Sequence, residues 1–194
     1  MKINTKIRSR LVGLFIITAY GVLISEVTDS RLAVFVTDAV SGWSVIGIAA
    51  LLFPYFKAVQ RKTSYLYLLL KITEGGLMIL GGAFFLSRDL QGSRNLIYDG
   101  VHLYVFIISG YLFYYLIRKS QIVPKLFAYW GYAAISVLLF TTLFKLVSTN
   151  YPPALDTLLV LIITNEIALA VWFILKGFNP SLSIIKSTKV NRES

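Results

Sequence analysis

The chain has 194 residues, of which 57% are hydrophobic and only 14% charged, where a soluble domain carries roughly 25% charged residues. That excludes an ordinary water-soluble globule, whose interior could not hold so much apolar surface, and it excludes a disordered tail protein. The net charge is +10 and there is no cysteine, so disulfides, thiolate metal sites and thiol catalysis are excluded.

Six stretches approach the ~20 apolar residues that a membrane span needs: 11–27, 39–56, 64–86, 97–117, 126–147 and 154–175. The first is the shortest and follows Lys2, Lys6, Arg8 and Arg10. That pattern also describes a signal peptide, but Leu23-Ile24-Ser25 lacks the small-residue pair of a cleavage site, so the segment is expected to be retained. The connections are short, and no internal repeat or linker divides the chain. The expected fold is all-α: a polytopic six-transmembrane-helix bundle, one domain over 1–194, with sequential helices antiparallel.

The basic residues cluster in alternate connections. Lys57, Arg61 and Lys62 follow the second span, and Arg118, Lys119 and Lys125 follow the fourth. Lys176, Lys186, Lys189 and Arg192 follow the sixth, with Glu193 as the single acid among all these segments. The other three connections hold Arg31, Arg88, Arg94 and Lys145 against Glu26, Asp29, Asp38, Asp89, Asp99 and Asp156. Positive loops stay in the cytoplasm, so both termini are expected there, in a bacterial plasma membrane. The excess charge then reports orientation and contact with anionic headgroups, not nucleic acid.

Tyr65, Tyr67, Tyr114, Tyr115 and Trp172 fall near the cytoplasmic ends, where aromatic rings anchor spans at the headgroup level. Three ionisable residues remain inside the spans: Lys71, Glu74 and Glu166. Each costs roughly 2.5–3.5 kcal/mol at a helix centre, so such residues usually face a bundle interior or a cavity. Lys71 and Glu74 are three apart and share a helix face. At 1.5 Å per residue, Glu74 and Glu166 lie ~15 Å and ~14 Å from the same membrane side. One polar layer is therefore expected, with Lys71 able to pair with either acid and with Asn165, Thr164 and Thr73 beside it. One cation faces two carboxylates. Either one carboxyl carries a proton, which burial and a like charge favour, or something positive binds.

His102, the only histidine, lies three residues after Asp99 and about two turns outward of that layer. The pair is a candidate outer vestibule, with the carboxylate orienting the imidazole. A single histidine without cysteine argues against a haem or a structural zinc site, so no metal or cofactor is expected. Ser109 is two turns from His102 on its own helix, too far for a serine–histidine dyad. Gly75-Gly76 and Gly81-Gly82 suit close helix packing, or room for a ligand beside Glu74.

Several strings resemble the uncharacterised bacterial integral membrane family called domain of unknown function 4386. Lys71-Ile72-Thr73-Glu74 is similar to its basic-x-x-Glu element. The run Arg118-Lys119-Ser120-Gln121-Ile122-Val123-Pro124-Lys125 is similar to its basic connection ending in proline, with Gly131 following where the family favours glycine. Glu166-Ile167-Ala168-Leu169-Ala170-Val171-Trp172-Phe173-Ile174-Leu175-Lys176-Gly177-Phe178 is similar to its Glu…Trp…Lys-Gly signature. The resemblance implies a six-helix bacterial membrane protein with Lys71, Glu74 and Glu166 as pattern positions, and it supplies no activity. The connection after the first span is short for that family, which argues against a large outer site.

Three functions compete on the sequence. The first is binding or transport of a small molecule, ion or proton at Lys71, Glu74, Glu166 and Asn165. The second is a membrane-embedded enzyme acting on a lipid or amphiphile, with a glutamate as general base. The third is a structural or assembly protein in which the three charges only staple the third span to the sixth. A cavity at Glu166 favours the first; a packed, fully paired core favours the third.

Overall fold

The computed structural model describes residues 4–28, 30–87, 90–148 and 150–179. Asp29, Arg88, Asp89 and the expected cytoplasmic residues Lys2, Lys186, Lys189, Arg192 and Glu193 lie outside the described residues.

Six helical segments are long and apolar enough to cross a membrane. Helix α1 (Thr5–Ala19) starts where the Asn4 side chain accepts from the Lys6 N–H, and a 3₁₀ segment, Tyr20–Glu26, continues it. Helices α2 (Arg31–Val59) and α3 (Arg61–Leu86) are joined through Gln60 alone. The fourth span is composite: α4 (Gln91–Ile97), a π-helical turn at Tyr98–His102, and α5 (Leu103–Ser120). Helix α6 (Lys125–Val147) follows a Pro124 cap, where a missing N–H costs nothing. A 3₁₀ segment, Pro153–Leu159, then leads into α7 (Val160–Leu175).

The spans form a ring. Helix α1 packs on α2, α2 on α3, α3 on α5, α5 on α6, α6 on α7, and α7 back on α1. Among the described residues the α3 and α7 backbones do not approach each other, and α5 and α7 meet only through side chains. A ring of six helices leaves its centre to be filled by side chains or left hollow, and the two halves differ.

The half that carries both ends of the described chain is filled. Phe56, Tyr67, Tyr114, Leu116, Ile117, Ile122 and Phe173 are all buried there. Beyond α7 the chain folds back, with Phe178 against the Tyr55 and Phe173 rings and the Asn179 N–H donating to the Ile122 carbonyl at 2.9 Å. Ser9 of α1 donates to the Phe173 carbonyl at 2.7 Å, and a Cβ on Gly13 would meet the Ala170 carbonyl oxygen at 2.6 Å. These two contacts set α1 and α7 almost backbone to backbone in this half.

Small residues also set the α2–α3 contact. A Cβ on Gly42 would lie 2.5 Å from the Gly75 carbonyl oxygen, and Gly75 faces Gly42 in return. Gly81 and Gly82 are occupied likewise, by the Tyr98 ring and the Asp38 side chain. Gly76 has open space around it.

The helices outrun the expected spans, and this corrects the placement of two charges. Asp38 and Arg94 were assigned to connections, but Asp38 sits inside α2 and Arg94 inside α4. Both are buried, with the Arg94 guanidinium donating to the Asp38 carboxylate at 2.9 and 3.2 Å and lying 4.6 Å from the Tyr98 ring centroid. The pair ties the second span to the fourth. Tyr67 and Tyr114, expected at the headgroup level, point inward into the core, while Tyr65 is exposed. The Tyr114 hydroxyl finds a partner in the polar interior described next, and the Tyr67 hydroxyl makes no hydrogen bond among the described residues.

Candidate functional site

The hollow half of the ring encloses a cavity of about 290 Å³, lined by residues of every span. Its walls are mostly apolar, from residues such as Ile16, Ile48, Met78, Leu103, Leu138 and Ile162. The polar groups on its wall are Tyr20, Tyr67, Lys71, Glu74, His102 and Glu166. A small, mostly apolar chamber with a few converging polar groups has the general character of a small-molecule site.

Three of the sequence-derived candidates therefore share one chamber. Lys71 does not pair with both acids. Its ammonium donates to both Glu74 carboxylate oxygens at 2.9 Å, and Glu74 is 2% exposed. The i, i+3 spacing on α3 makes that pair local and rigid. Ser109 of α5 donates to the same carboxylate at 2.6 Å from behind the cavity wall. The Lys71 ammonium also lies 5.3 Å from the Phe106 ring centroid. Glu74 is thus satisfied by a cation and a hydroxyl.

Glu166 is held differently. Its hydrogen-bond donor is the Tyr20 hydroxyl at 2.8 Å, which is neutral. The charges of Lys71 and Glu74 reach it only through space, from the helix it does not pack on. The chamber therefore contains one carboxylate paired directly with a cation and one whose direct partner is a neutral hydroxyl. Two acids face one cavity, where the assembly reading expects the three charges to staple the third span to the sixth.

Two further polar atoms on the wall lack partners. The Tyr67 hydroxyl and the His102 Nε2 are buried and make no hydrogen bond among the described residues. Buried polar atoms in native structures nearly always find a partner, so unpaired ones beside a cavity point to a missing one. The π-helical turn contributes here. It sits where α4 meets α5, and such turns recur at functional sites because the extra residue re-aims the side chains around it. Tyr98, on that turn, packs on Gly81 and lies 4.9 Å from the His102 ring, while His102 faces the chamber.

The remaining candidates lie elsewhere. Asn165 is buried but not on the cavity wall. It accepts from the Tyr114 hydroxyl at 2.9 Å and donates to the Phe127 carbonyl at 3.2 Å, tying α7 to α5 and α6. One residue is about 100° of rotation on a helix, which turns Asn165 from the chamber that Glu166 faces toward α5 and α6. Thr164 and Thr73 are exposed, and Thr164 bonds back to its own helix. Asp99 is exposed and off the wall; the charges that act on His102 are those of Glu74, Lys71 and Asp38.

Sequence reasoning missed Tyr20 and Ser109 as partners of the acids. Set against His102 on its own helix, Ser109 offers no dyad, and Tyr20 lies within an apolar run. The signal for both was the cost of leaving a carboxylate without donors in a lipid-facing protein. Among the described residues no group of three or more His, Cys, Asp or Glu is arranged to hold a metal ion.

Searches of curated proteins and of solved structures returned no match. The profile of one family does match, over residues 88–177, a segment holding Arg94, His102, Ser109 and Glu166 but not Lys71, Glu74 or Asp38. With six apolar helices it marks an integral membrane protein, and the family, as the motifs implied, is the one described as domain of unknown function (DUF4386).

Proposed function

We propose that this protein binds, and passes across the membrane, a small organic molecule bearing one positive charge, which pairs with Glu166 in the central cavity. The observation that carries the reading is the unequal treatment of the two acids. Lys71 is committed to Glu74, and Glu166 is left with a neutral tyrosine. An inorganic divalent cation does not suit the chamber, since calcium takes six to eight oxygen ligands. The walls offer instead four aromatic rings, Tyr20, Tyr67, Phe106 and Phe113. Aromatic faces beside a carboxylate are the chemistry that recognises ammonium groups.

The protein sits in a bacterial plasma membrane with both termini cytoplasmic. The positive connections support that orientation, and they also put Arg118, Lys119 and Lys125 where anionic headgroups lie. Packing alone, as in an assembly protein, accounts poorly for a cavity with an acid whose direct partner is a neutral hydroxyl. Ser109 is already bonded to Glu74 and off the wall, which argues against a serine nucleophile.

The test is tetraethylammonium binding to the full chain in phospholipid nanodiscs, read as a rise in unfolding temperature. A ligand that binds only the folded state must raise it. The wild type is expected to show a saturable rise and Glu166→Gln to lose affinity by about tenfold or more, the scale of one lost charge-assisted contact. An equal rise in both proteins overturns the assignment to Glu166.

A further inference from the structure

The cavity is not sealed, and one seam of the ring stands out along its wall. Helices α1 and α7 pack closely over their inner halves, through Ser9, Gly13, Ala170 and Phe173. Beyond that stretch both spans change to 3₁₀ geometry, Tyr20–Glu26 in the first and Pro153–Leu159 in the sixth. The 3₁₀ segment of the first span packs on α1 and α2, and that of the sixth on α6 and α7. Among the described residues the backbones of the two 3₁₀ segments do not approach each other, and the first reaches α7 through the Tyr20–Glu166 hydrogen bond at its start. Yet both line the cavity, through Val22 and Leu23 on one side and Leu159 on the other. A 3₁₀ helix rises about 2.0 Å per residue with three residues per turn, so each span is thinner and rotated where they part. Leu23 and Ile24 are 49% and 54% exposed at this place, in a surface that faces lipid.

We infer that the gap between the first and sixth spans is a lateral portal to the outer leaflet, and that the ligand is a single-chain amphiphile with a cationic headgroup. This rests on the reading of Glu166 given above and adds the route and the tail. The headgroup passes between Leu23 and Leu159 to Glu166, Tyr20 and Tyr67, and the alkyl chain stays against the apolar wall and in the seam. The near-absence of polar wall outside the acid layer fits a hydrocarbon tail and has no use for a small hydrophilic cation arriving from water. A chain anchored in the outer leaflet sets the headgroup deep only if the site draws it there, and a carboxylate whose direct partner is a neutral hydroxyl does so.

The test compares dodecyltrimethylammonium with tetramethylammonium on the wild type, Leu23→Trp, Leu23→Ala and Glu166→Gln in nanodiscs, again by the rise in unfolding temperature. The long-chain cation is expected to bind at least about tenfold more tightly, because its chain concentrates it in the bilayer beside the portal. Leu23→Trp is expected to weaken the long-chain cation about tenfold and leave tetramethylammonium unchanged, which also shows that the variant is folded. Leu23→Ala retains both, and Glu166→Gln loses both. Equal affinity for the two cations, with Leu23→Trp without effect, overturns the portal while leaving the reading of Glu166 standing. Failure of both cations to bind the wild type overturns the two together.

Discussion

Replacing Asp38 by Ala is expected to cost about 3–5 kcal/mol of stability, the range for breaking a buried ion pair from one side. The loss is that of two charge-assisted hydrogen bonds made inside a buried ion pair. Arg94 is 5% exposed, and its Nε and Nη2 both donate to this carboxylate. The Tyr98 ring beneath it contributes a cation–π contact, which is worth far less than a buried carboxylate. Removing both partners is a different experiment. Asp38→Leu with Arg94→Met replaces the pair by apolar groups of similar bulk, and such replacements are often neutral. The double variant is therefore expected to recover most of the loss, by unfolding in the same nanodiscs. If Asp38→Ala costs less than about 1 kcal/mol, the pair is not what ties the second span to the fourth.

The second large effect concerns Glu74, and it separates charge from shape. Glu74→Gln removes the partner on which Lys71 is spent. The freed ammonium sits on the cavity wall with Glu166 on the same chamber, and low-dielectric walls strengthen the attraction between them. Lys71 is expected to turn to Glu166 and neutralise it. Cation binding then falls by about tenfold or more although Glu166 is untouched. Lys71→Met in the Glu74→Gln background removes the competitor and is expected to restore binding to near the wild-type value. A cavity that recognised its ligand by shape would show no such rescue. Lys71→Met alone has another outcome. It leaves the buried Glu74 carboxylate with the Ser109 hydroxyl as its hydrogen-bond partner, so it is expected to cost stability, by about 3–5 kcal/mol if the charge persists.

The sequence was most legible where lipid imposes the rule. Six spans could be counted because every backbone polar group must be satisfied within a helix. Lys71, Glu74 and Glu166 stood out because charge in lipid is costly, and rise per residue was enough to put the two glutamates at one depth. What stayed hidden depended on three-dimensional packing. Asp38 and Arg94 were read as loop charges because spans were delimited at their first charged residue. The apolar run Leu32–Val36 on the far side of Asp38 was the signal that the helix continues through it.

Which acid Lys71 chooses is decided by the α3 backbone and the ring arrangement, and helix order alone does not give that. Two helices of one bundle can still face each other across its hollow centre, as the third and sixth spans do. Asn165 shows the limit of adjacency as an argument: next to Glu166 in sequence, it serves the α5–α6 side of its helix. The close backbone contacts at Gly42–Gly75 and Gly13–Ala170 fix where the ring is tight, and so where it can open. No residue in the 3₁₀ segments, taken alone, announces that the seam parts there.

The central claim is that Glu166 is the anchor for an organic cation inside the ring, and its location can be measured directly. Tetramethylarsonium carries the same charge and nearly the same shape as tetramethylammonium, and its arsenic gives an anomalous X-ray signal. Crystals grown with it should contain one arsenic peak in the central cavity, beside the Glu166 carboxylate and against the Tyr20 and Tyr67 rings. The same peak should be absent from crystals of Glu166→Gln. A peak only at the basic face near Arg118 and Lys125, or a cavity peak that survives in Glu166→Gln, would contradict the account.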